Sequence, residues 1–304
     1  MCNNIQIQVF TKGAELASIV ANGREYLWQG DPVFWGRRAP ILFPIVGKLA
    51  NNTLRIDGKA YTMNQHGFAR DAEFVQSQFN VNYNPLTGFR MIPSNEPLFL
   101  QMVKDGPIAN YPYDFELRVR YAVYGNTIDV DWEIKNCGDN DMYFQIGAHP
   151  AFMLPNYNPN DMIHGYLCCY NNEGQTVLPI SSSHLEDGLR VITNSRKLAN
   201  KRGLNPITNS TFANDAILLD SGNIKSVGLV DLQGNEILRV SCPRAEVFGL
   251  WAPNKPGCPF VCIEPWCGVA DRKDFNGDIS EKDFIHSLAP NEMYAFSYSI
   301  TINN

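Results

Sequence analysis

The chain has 304 residues, 44% of them hydrophobic, which is enough to bury a large core in one β domain or two smaller ones. Its formal net charge of -6 disfavours nucleic acid or an anionic membrane as the main partner, because both select clustered Lys and Arg. We therefore expect a small, roughly neutral ligand.

Residues 1–7 contain no basic segment followed by an apolar stretch, and no later run is long enough to span a bilayer. We therefore expect a cytoplasmic protein with no membrane partner. The eight cysteines have no CxxC spacing, which favours free, mostly buried thiols over a metal site or disulfides.

Strands are predicted wherever apolar and polar residues alternate, because alternate side chains of a strand point to opposite faces. The clearest signal is a hairpin: Phe115–Val123 alternates, Gly125-Asn126 turns, and Ile128–Ile134 returns with its acids opposite the arginines of the first strand. Similar patterns lie at Ile5–Val9, Leu54–Met63 around Asp57-Gly58, Val227–Val240 around Gln233-Gly234, and Tyr294–Ile302.

Three segments are predicted as loops from their polar, Pro-rich or Gly-rich composition. Asn84–Pro112 and Pro155–Asn160 are expected at one end of the fold, where binding sites tend to lie, and Ser181–His184 is expected as a polar surface loop. Strands follow one another without intervening amphipathic helices. We therefore expect an all-β protein, a large antiparallel sandwich with few short helices, forming a single domain over residues 1–304.

Ionisable residues in apolar or tight-turn surroundings are the candidate functional groups, because burial without a partner is costly. They lie in three segments, Gln65–Arg70, Ile146–Phe152 and Val261–Gly268. His149 alone fits a satisfied core histidine better than a catalyst. Glu264 follows an apolar strand and precedes Pro265-Trp266, where desolvation would raise its pKa toward that of a general base. A strand-end cap is an equally good interpretation of Glu264.

Taken together, five segments resemble the aldose 1-epimerase (galactose mutarotase-like) family, and more closely its LacX-like branch. The segments are Gly13–Leu16, Trp35–Leu49, His66–Arg70, Gly147–Phe152 and Cys262–Trp266, so the resemblance covers almost the whole chain. It implies a β-supersandwich fold and an isomerase that interconverts the α and β anomers of a hexose without cofactor or metal. The only partner it implies is a small-molecule sugar.

The resemblance also implies residue roles. His149 would be the general acid on the ring oxygen, Glu264 the general base on the anomeric hydroxyl, and His66 a sugar-binding residue that helps polarise the ring oxygen. A sugar-binding Asp maps to Asp215, with Asp220 as a rival. Trp35, Phe68 and Trp266 are candidates for stacking on the sugar, although core packing explains them too.

One departure concerns the substrate. Where the galactose enzymes carry a sugar-binding Arg, this chain has Lys48, a point donor that cannot make a bidentate contact. Arg37, Arg38 and Arg70 are either salt-bridge partners or ligands of an anionic sugar substituent. The alternatives are therefore a hexose-6-phosphate 1-epimerase and a non-catalytic carbohydrate-binding or sensing module. A monomer or a homodimer is expected.

Overall fold

A computed structural model describes residues 5–76, 97–104, 108–197 and 203–303, without the side chains of 194–197. Its first strands are β1 (Ile5–Val9), β2 (Leu16–Ala21), β3 (Arg24–Glu25), β4 (Ile41–Leu42), β5 (Thr53–Ile56), β6 (Lys59–Thr62), β7 (Phe74–Gln76), β8 (Leu98–Met102), β9 (Phe115–Tyr124), β10 (Thr127–Asn136), β11 (Met142–Phe144) and β12 (Ile146–Ala148). They are followed by β13 (Ala151–Met153), β14 (Tyr166–Tyr170), β15 (Ile180–Glu186), β16 (Leu189–Lys197), β17 (Asn205–Pro206), β18 (Ile217–Leu219), β19 (Ser226–Val230), β20 (Glu236–Ser241), β21 (Val247–Trp251), β22 (Phe260–Cys267), β23 (His286–Leu288) and β24 (Met293–Ile302). Within these ranges the helical elements are three 3₁₀ turns, Ala50–Asn52, Ala69–Asp71 and Ile279–Glu281.

Two antiparallel sheets dominate the fold. The larger has nine strands in the order β17-β14-β19-β20-β24-β10-β9-β8-β7. The smaller has the order β18-β21-β22-β12-β4, with β13 also paired to β22. Three short pieces, β1-β2-β3, β5-β6 and β15-β16, stand beside them, and β11 pairs with β23. The predicted all-β antiparallel sandwich with few short helices is therefore confirmed.

One apolar cluster runs between the two large sheets. It contains Val130 and Trp132 of the nine-stranded sheet and Val261 and Ile263 of β22. All eight residues of β22 are buried, as expected of a strand covered on both faces. The continuity of this cluster supports the proposal that residues 1–304 form a single domain.

The predicted hairpin is present with its turn and its charge pairs. Strands β9 and β10 pair in register from Tyr124 opposite Thr127 to Phe115 opposite Asn136. Arg118 contacts Glu133 at 3.2 Å, and Arg120 is bonded to Asp131, as the alternation of charges predicted. The strands predicted at Ile5–Val9, Leu54–Met63, Val227–Val240 and Tyr294–Ile302 are also present.

The Arg120–Asp131 pair gives a prediction about stability. Both side chains are only 10% exposed, so Arg120→Met would leave a buried carboxylate without its cation. We expect this change to lower the free energy of unfolding by about 3 kcal/mol. Denaturant unfolding should also show that Arg120→Met/Asp131→Leu recovers most of the loss, and a single-variant loss below about 1 kcal/mol would contradict the account.

Two loop predictions are wrong. Part of Asn84–Pro112 lies outside the described residues, but Leu98–Met102 forms strand β8, which pairs with β9 and buries Leu100 and Met102 in the core. Ser181–His184 belongs to strand β15, where Ser183 is buried and its hydroxyl donates to Asp220 at 2.5 Å. The serines of this strand are therefore polar because they bond to Asp220, which is paired with Arg190, and not because the strand faces solvent. Pro155–Asn160 is irregular, as predicted.

The described cysteines are all free, and five of the seven are buried, as the sequence predicted. In the same part of the chain we find no helix with the length and apolar character needed to span a membrane.

Candidate active site

A cleft lies on the face of the six-stranded sheet that points away from the nine-stranded sheet. On β22, Cys262, Glu264 and Trp266 share this face because alternate residues of a strand point the same way. Cys262 packs in one small apolar cluster and Trp266 in another, and Glu264 lies between them. The inner chamber of the cleft has a volume of about 400 Å³.

Glu264 and His149 face each other at the base of this chamber. His149 Nε2 lies 3.2 Å from Glu264 Oε2, and the side chains are 10% and 1% exposed. Burial raises the pKa of Glu264 well above its usual range, and the nearby charge of Asp215 adds to the rise. Burial also lowers the pKa of His149 to about 3. Both shifts favour a neutral pair that holds one proton on the carboxyl group.

Aromatic rings fix the orientation of the His149 imidazole. The Trp35 indole stacks on it with ring centroids 4.7 Å apart, and Trp251 meets it edge-on at 5.6 Å. His66 approaches it edge-on from another side, also at 5.6 Å. Of the three aromatic residues proposed to stack on the sugar, Trp35 and Trp266 line the chamber, and Trp35 also stacks on His149. Phe68 packs against Phe43 outside the chamber.

His66 is held in one tautomer. Its Nδ1 accepts a hydrogen bond of 3.1 Å from the backbone N–H of Gly47, so Nε2 carries the hydrogen of the neutral ring. Burial, followed by the charge of His149, lowers the pKa of His66 well below its usual value. The residue has a φ of +66°, a conformation that non-glycine residues adopt rarely and often at functional sites. His66 therefore offers a fixed N–H donor to the chamber.

Trp266 lies over two glycines. Gly147 on β12 and Gly249 on β21 flank β22, and a Cβ atom at Gly249 would lie 2.8 Å from the Trp266 ring. Glycine at these positions leaves the space that the indole fills. The Trp266 Nε1 atom is buried and makes no hydrogen bond of good geometry among the described residues, but its N–H is near enough to the Glu264 carboxyl group to oppose part of the rise in the pKa of Glu264.

Gly249→Ala should displace the indole. We expect a loss of about 1–3 kcal/mol in the free energy of unfolding, because the new methyl overpacks a buried ring. Gly138→Ala is the matched control, since the nearest atoms there lie 3.4 Å or more from the new Cβ. Thermal unfolding compares the two, and equal effects would contradict the assigned role of Gly249.

The two aspartates proposed for one role lie in different places. Asp215 lines the inner chamber and has a φ of +72°. The side chain of Asp220 is fully buried away from the chamber, where it accepts hydrogen bonds from Ser182 and Ser183 and pairs with Arg190 at 3.0 Å. The structure therefore brings Asp215, and not Asp220, to the cleft.

The basic residues proposed to bind the substrate lie in three different places. Arg70 lines the inner chamber, and its pKa falls to about 10 through burial and the nearby Arg37, so it stays charged at neutral pH. Lys48 lies farther out and donates to the backbone carbonyl of Asp187 at 2.9 Å. Arg38 does not reach the cleft: its Nη1 donates to Ala17 O at 2.7 Å. The guanidinium of Arg38 is bonded to the backbone of strand β2, and Arg38 lines neither part of the cleft, so the structure does not support its proposed contact with the sugar.

Two groups of described residues bring metal-ligand atoms within 4.8 Å of one another: His149, Cys262 and Glu264 in the cleft, and Glu246, Cys267 and His286 outside it. A thiol must lose its proton to bind a metal. Burial raises the pKa of Cys262 well above its usual value and that of Cys267 to about 12, which opposes binding at both. A reaction without metal or cofactor stays a prediction.

Sequence reasoning missed the β15–β16 hairpin as part of the site. Leu185 and Gly188 at its tip line the inner chamber beside Gln65 and Ala270. The Asp187-Gly188 pair between two alternating segments is a hairpin signal that would have found it. Trp251 was missed because nothing in the sequence distinguishes it from a core tryptophan.

Comparison with known proteins gives consistent results. The sequence profile of the family described as Aldose 1-epimerase matches residues 1–301. The chromosomal LacX protein of Lactococcus lactis subsp. lactis is 32% identical over 308 residues, covering 99% of this chain and 97% of the relative. These matches confirm the resemblance stated from the sequence motifs.

Solved structures share the fold. A galactose mutarotase related enzyme from Lactobacillus acidophilus has a TM-score of 0.82 at 29% identity, covering 99% of this chain and 95% of that one. A galactose mutarotase-like protein from Lactobacillus casei has a TM-score of 0.83 at 23% identity, covering 98% and 97%. With the profile match over nearly every residue and a relative above 30% identity, the chain belongs to the aldose 1-epimerase family, a family of sugar isomerases.

Proposed function

We propose that the protein interconverts the α and β anomers of a hexose, with His149 as general acid and Glu264 as general base. The observation that carries the proposal is the 3.2 Å contact between His149 Nε2 and Glu264 Oε2 at the base of a polar cleft. Anomer exchange removes a proton from the C1 hydroxyl and delivers one to the ring oxygen. Both oxygens are bonded to C1, so they lie closer together than 3.2 Å, and one sugar can present both to the pair.

The protonation of the pair suits this cycle. The raised pKa of Glu264 and the lowered pKa of His149 place the single proton on the carboxyl group of the free enzyme. A bound cyclic sugar changes this balance, because its C1 hydroxyl donates to Glu264 and its ring oxygen accepts from His149. Both contacts favour the carboxylate of Glu264 and the imidazolium of His149. This state differs from that of the free enzyme by the transfer of one proton from Glu264 to His149.

Ring opening then follows. Glu264 takes the proton of the C1 hydroxyl, the C1–ring oxygen bond breaks, and His149 gives its proton to the ring oxygen. The open aldehyde is bound to protonated Glu264 and neutral His149, the same protonation as in the free enzyme. Rotation about C1–C2 exposes the other face of the carbonyl, and the two proton transfers run backwards to close the ring.

Other groups of the chamber would bind the hydroxyls. The neutral His66 donates through Nε2, Arg70 donates through its charged guanidinium, and the Asp215 carboxylate accepts. Trp266 forms part of the wall through its ring. Since the reaction moves protons and has no net redox change, the two proton-transfer groups are sufficient for it.

The test is polarimetry on freshly dissolved α-D-glucose and α-D-galactose. The proposal expects exchange well above the spontaneous rate for at least one of them. Saturable sugar binding without acceleration would instead support the carbohydrate-binding or sensing module. A marked preference for glucose 6-phosphate over glucose would support the hexose-6-phosphate epimerase.

The pH dependence follows from the pair. Acid places a second proton on His149 and removes the base, and alkali removes the shared proton and with it the acid. Because the pKa of His149 is about 3, kcat/KM should stay level as pH falls through 6.5, where a free histidine titrates. Circular dichroism at each pH controls for unfolding, and an acid limb near pH 6.5 would contradict the assignment.

We also propose that the enzyme works in the cytoplasm as a monomer or homodimer, with a sugar as its partner. Light scattering coupled to size-exclusion chromatography determines the oligomeric state.

A further inference from the structure

The indole ring of Trp266 is held against the six-stranded sheet beside the base. A Cβ atom at Gly147 would lie 2.7 Å from Trp266 Cδ1, and a Cβ atom at Gly249 would lie 2.8 Å from Trp266 Cζ2. Gly147 belongs to β12 and Gly249 to β21, the two strands that flank β22. The ring therefore lies across the strands on both sides of its own, and it can do so only because neither position carries a side chain.

This position leaves the polar atom of the ring close to the carboxyl group of Glu264. Glu264 and Trp266 are alternate residues of β22, so their side chains project from the same face. Trp266 Nε1 and Glu264 Oε2 are both buried without a hydrogen bond of good geometry among the described residues. Hydrogen bonds at catalytic groups are often poorly aligned in a free enzyme and tighten in the complex with substrate. A buried donor beside a buried acceptor is therefore a contact that one state of the enzyme can complete.

The chemistry of the indole decides which state that is. An indole N–H can donate a hydrogen bond but cannot accept one. Hydrogen bonds to an ionised acceptor are shorter than those to a neutral acceptor and about twice as strong. The Trp266 N–H therefore favours the carboxylate form of Glu264 over the protonated form that the free enzyme carries.

The proposed reaction needs this carboxylate in surroundings that oppose it. Burial disfavours the charged form of Glu264, and the charge of Asp215 adds to the effect, whereas Trp266 lowers the pKa of Glu264. The titratable groups around Glu264 are His149 after β12, Asp215 before β18, Cys262 on β22 itself, and His66 and Arg70 in the segment before β7. His149 is neutral in the free enzyme, so it does not stabilise a carboxylate until it receives the proton of Glu264.

We propose that Trp266 is a positioning residue for the base: its indole N–H donates to the carboxylate that Glu264 forms when a sugar binds, and Gly147 and Gly249 hold the ring where it can do so. The inference rests on the proposed function. Trp266 exchanges no proton with the substrate. It reduces the free energy needed to move the proton from Glu264 to His149, and so to form the base that takes the proton of the C1 hydroxyl.

The test removes the N–H and keeps the ring. Benzothienylalanine, placed at position 266 alone, has the same two fused rings with sulfur in place of the N–H group, and Trp266→Phe is a simpler companion. Without the donor the carboxylate is less stable, so the pKa of Glu264 rises and the alkaline limb of kcat/KM moves to higher pH. We expect a shift of about half a unit to one unit, with kcat/KM at neutral pH about threefold to tenfold lower.

The direction of the shift separates this role from a structural one. A change that only loosens the packing admits water, which lowers the pKa of a buried carboxyl group toward its usual value and moves the limb to lower pH. Trp132 is the matched control, because its Nε1 is also buried without a partner among the described residues, and its ring stacks on Phe296 away from the chamber. The same replacement at position 132 should leave kcat/KM and its alkaline limb unchanged.

Infrared spectroscopy follows the titration of Glu264 without relying on activity. The band of its protonated carboxyl group is the one that Glu264→Gln removes. In the free enzyme this band should persist to higher pH with benzothienylalanine at position 266 than with tryptophan, by the same half unit to one unit. An unchanged or lower titration point would overturn the role of Trp266. The expected shift without anomer exchange in the wild type would refute the proposed function and leave the hydrogen bond established.

Discussion

Glu264→Gln is expected to lower kcat/KM for anomer exchange by about a hundredfold to ten-thousandfold, the usual contribution of a general base. The amide has nearly the shape of the carboxyl group but cannot take the proton of the C1 hydroxyl. Burial raises the pKa of Glu264 well above its usual range, so the free enzyme carries a neutral acid at this position. Replacing it with a neutral amide should therefore leave the free energy of unfolding unchanged or slightly higher.

This combination of lost activity and retained stability distinguishes a proton-transfer role from a structural one. Glu246→Gln is the matched control, because Glu246 lies directly before β21 and does not line the inner chamber. Polarimetry and denaturant unfolding on the same preparations give both quantities. A folded Glu264→Gln protein within about tenfold of the wild-type rate would show that Glu264 is not the base.

His149→Ala should reduce the rate to a similar extent, since it removes the proton donor to the ring oxygen. It also removes the ring that stacks on Trp35, so His149→Phe is the necessary companion: it keeps an aromatic ring against Trp35 and Trp251 but has no proton to give. Both variants should be inactive. Added imidazole should restore part of the rate only in the alanine variant, where a space is left.

The half-exposed His184 provides the control for these two variants, because His184→Ala removes an imidazole outside the chamber. Circular dichroism checks that each variant is folded. Substantial activity in folded His149→Phe would contradict the assignment of the acid, whatever the alanine variant does.

Local patterns in the sequence were sufficient for much of the fold. The β9–β10 hairpin was predictable with its turn and its opposed charges, because a tight turn between two neighbouring strands fixes their pairing register. Strand β15 was not predictable, because the polar residues of Ser181–His184 bond to Asp220, which is distant in sequence. The serines satisfy Asp220, which is paired to Arg190, and such a buried network has no local signature.

The site shows the same limit. The local sequence around His149 and around Glu264, considered separately, did not decide between a catalytic and a structural role, since each residue type also has an ordinary structural use. Their proximity comes from the pairing of β12 and β13 with β22, a contact between segments more than 100 residues apart. The resemblance pointed to both residues and to Asp215, but it also included Arg38, whose guanidinium donates to a backbone carbonyl instead. The direction of the Arg38 side chain, which a sequence motif does not reveal, takes it away from the cleft.

The most direct test of the central claim is two-dimensional exchange NMR of the H1 signals of α- and β-glucose or galactose at equilibrium, with wild-type protein and Glu264→Gln at equal concentration. The account predicts α-to-β cross-peaks far above the spontaneous rate with the wild type, and cross-peaks at the spontaneous level with the variant. Cross-peaks of equal size with both proteins, or sugar binding to the wild type without any enhanced exchange, would contradict it.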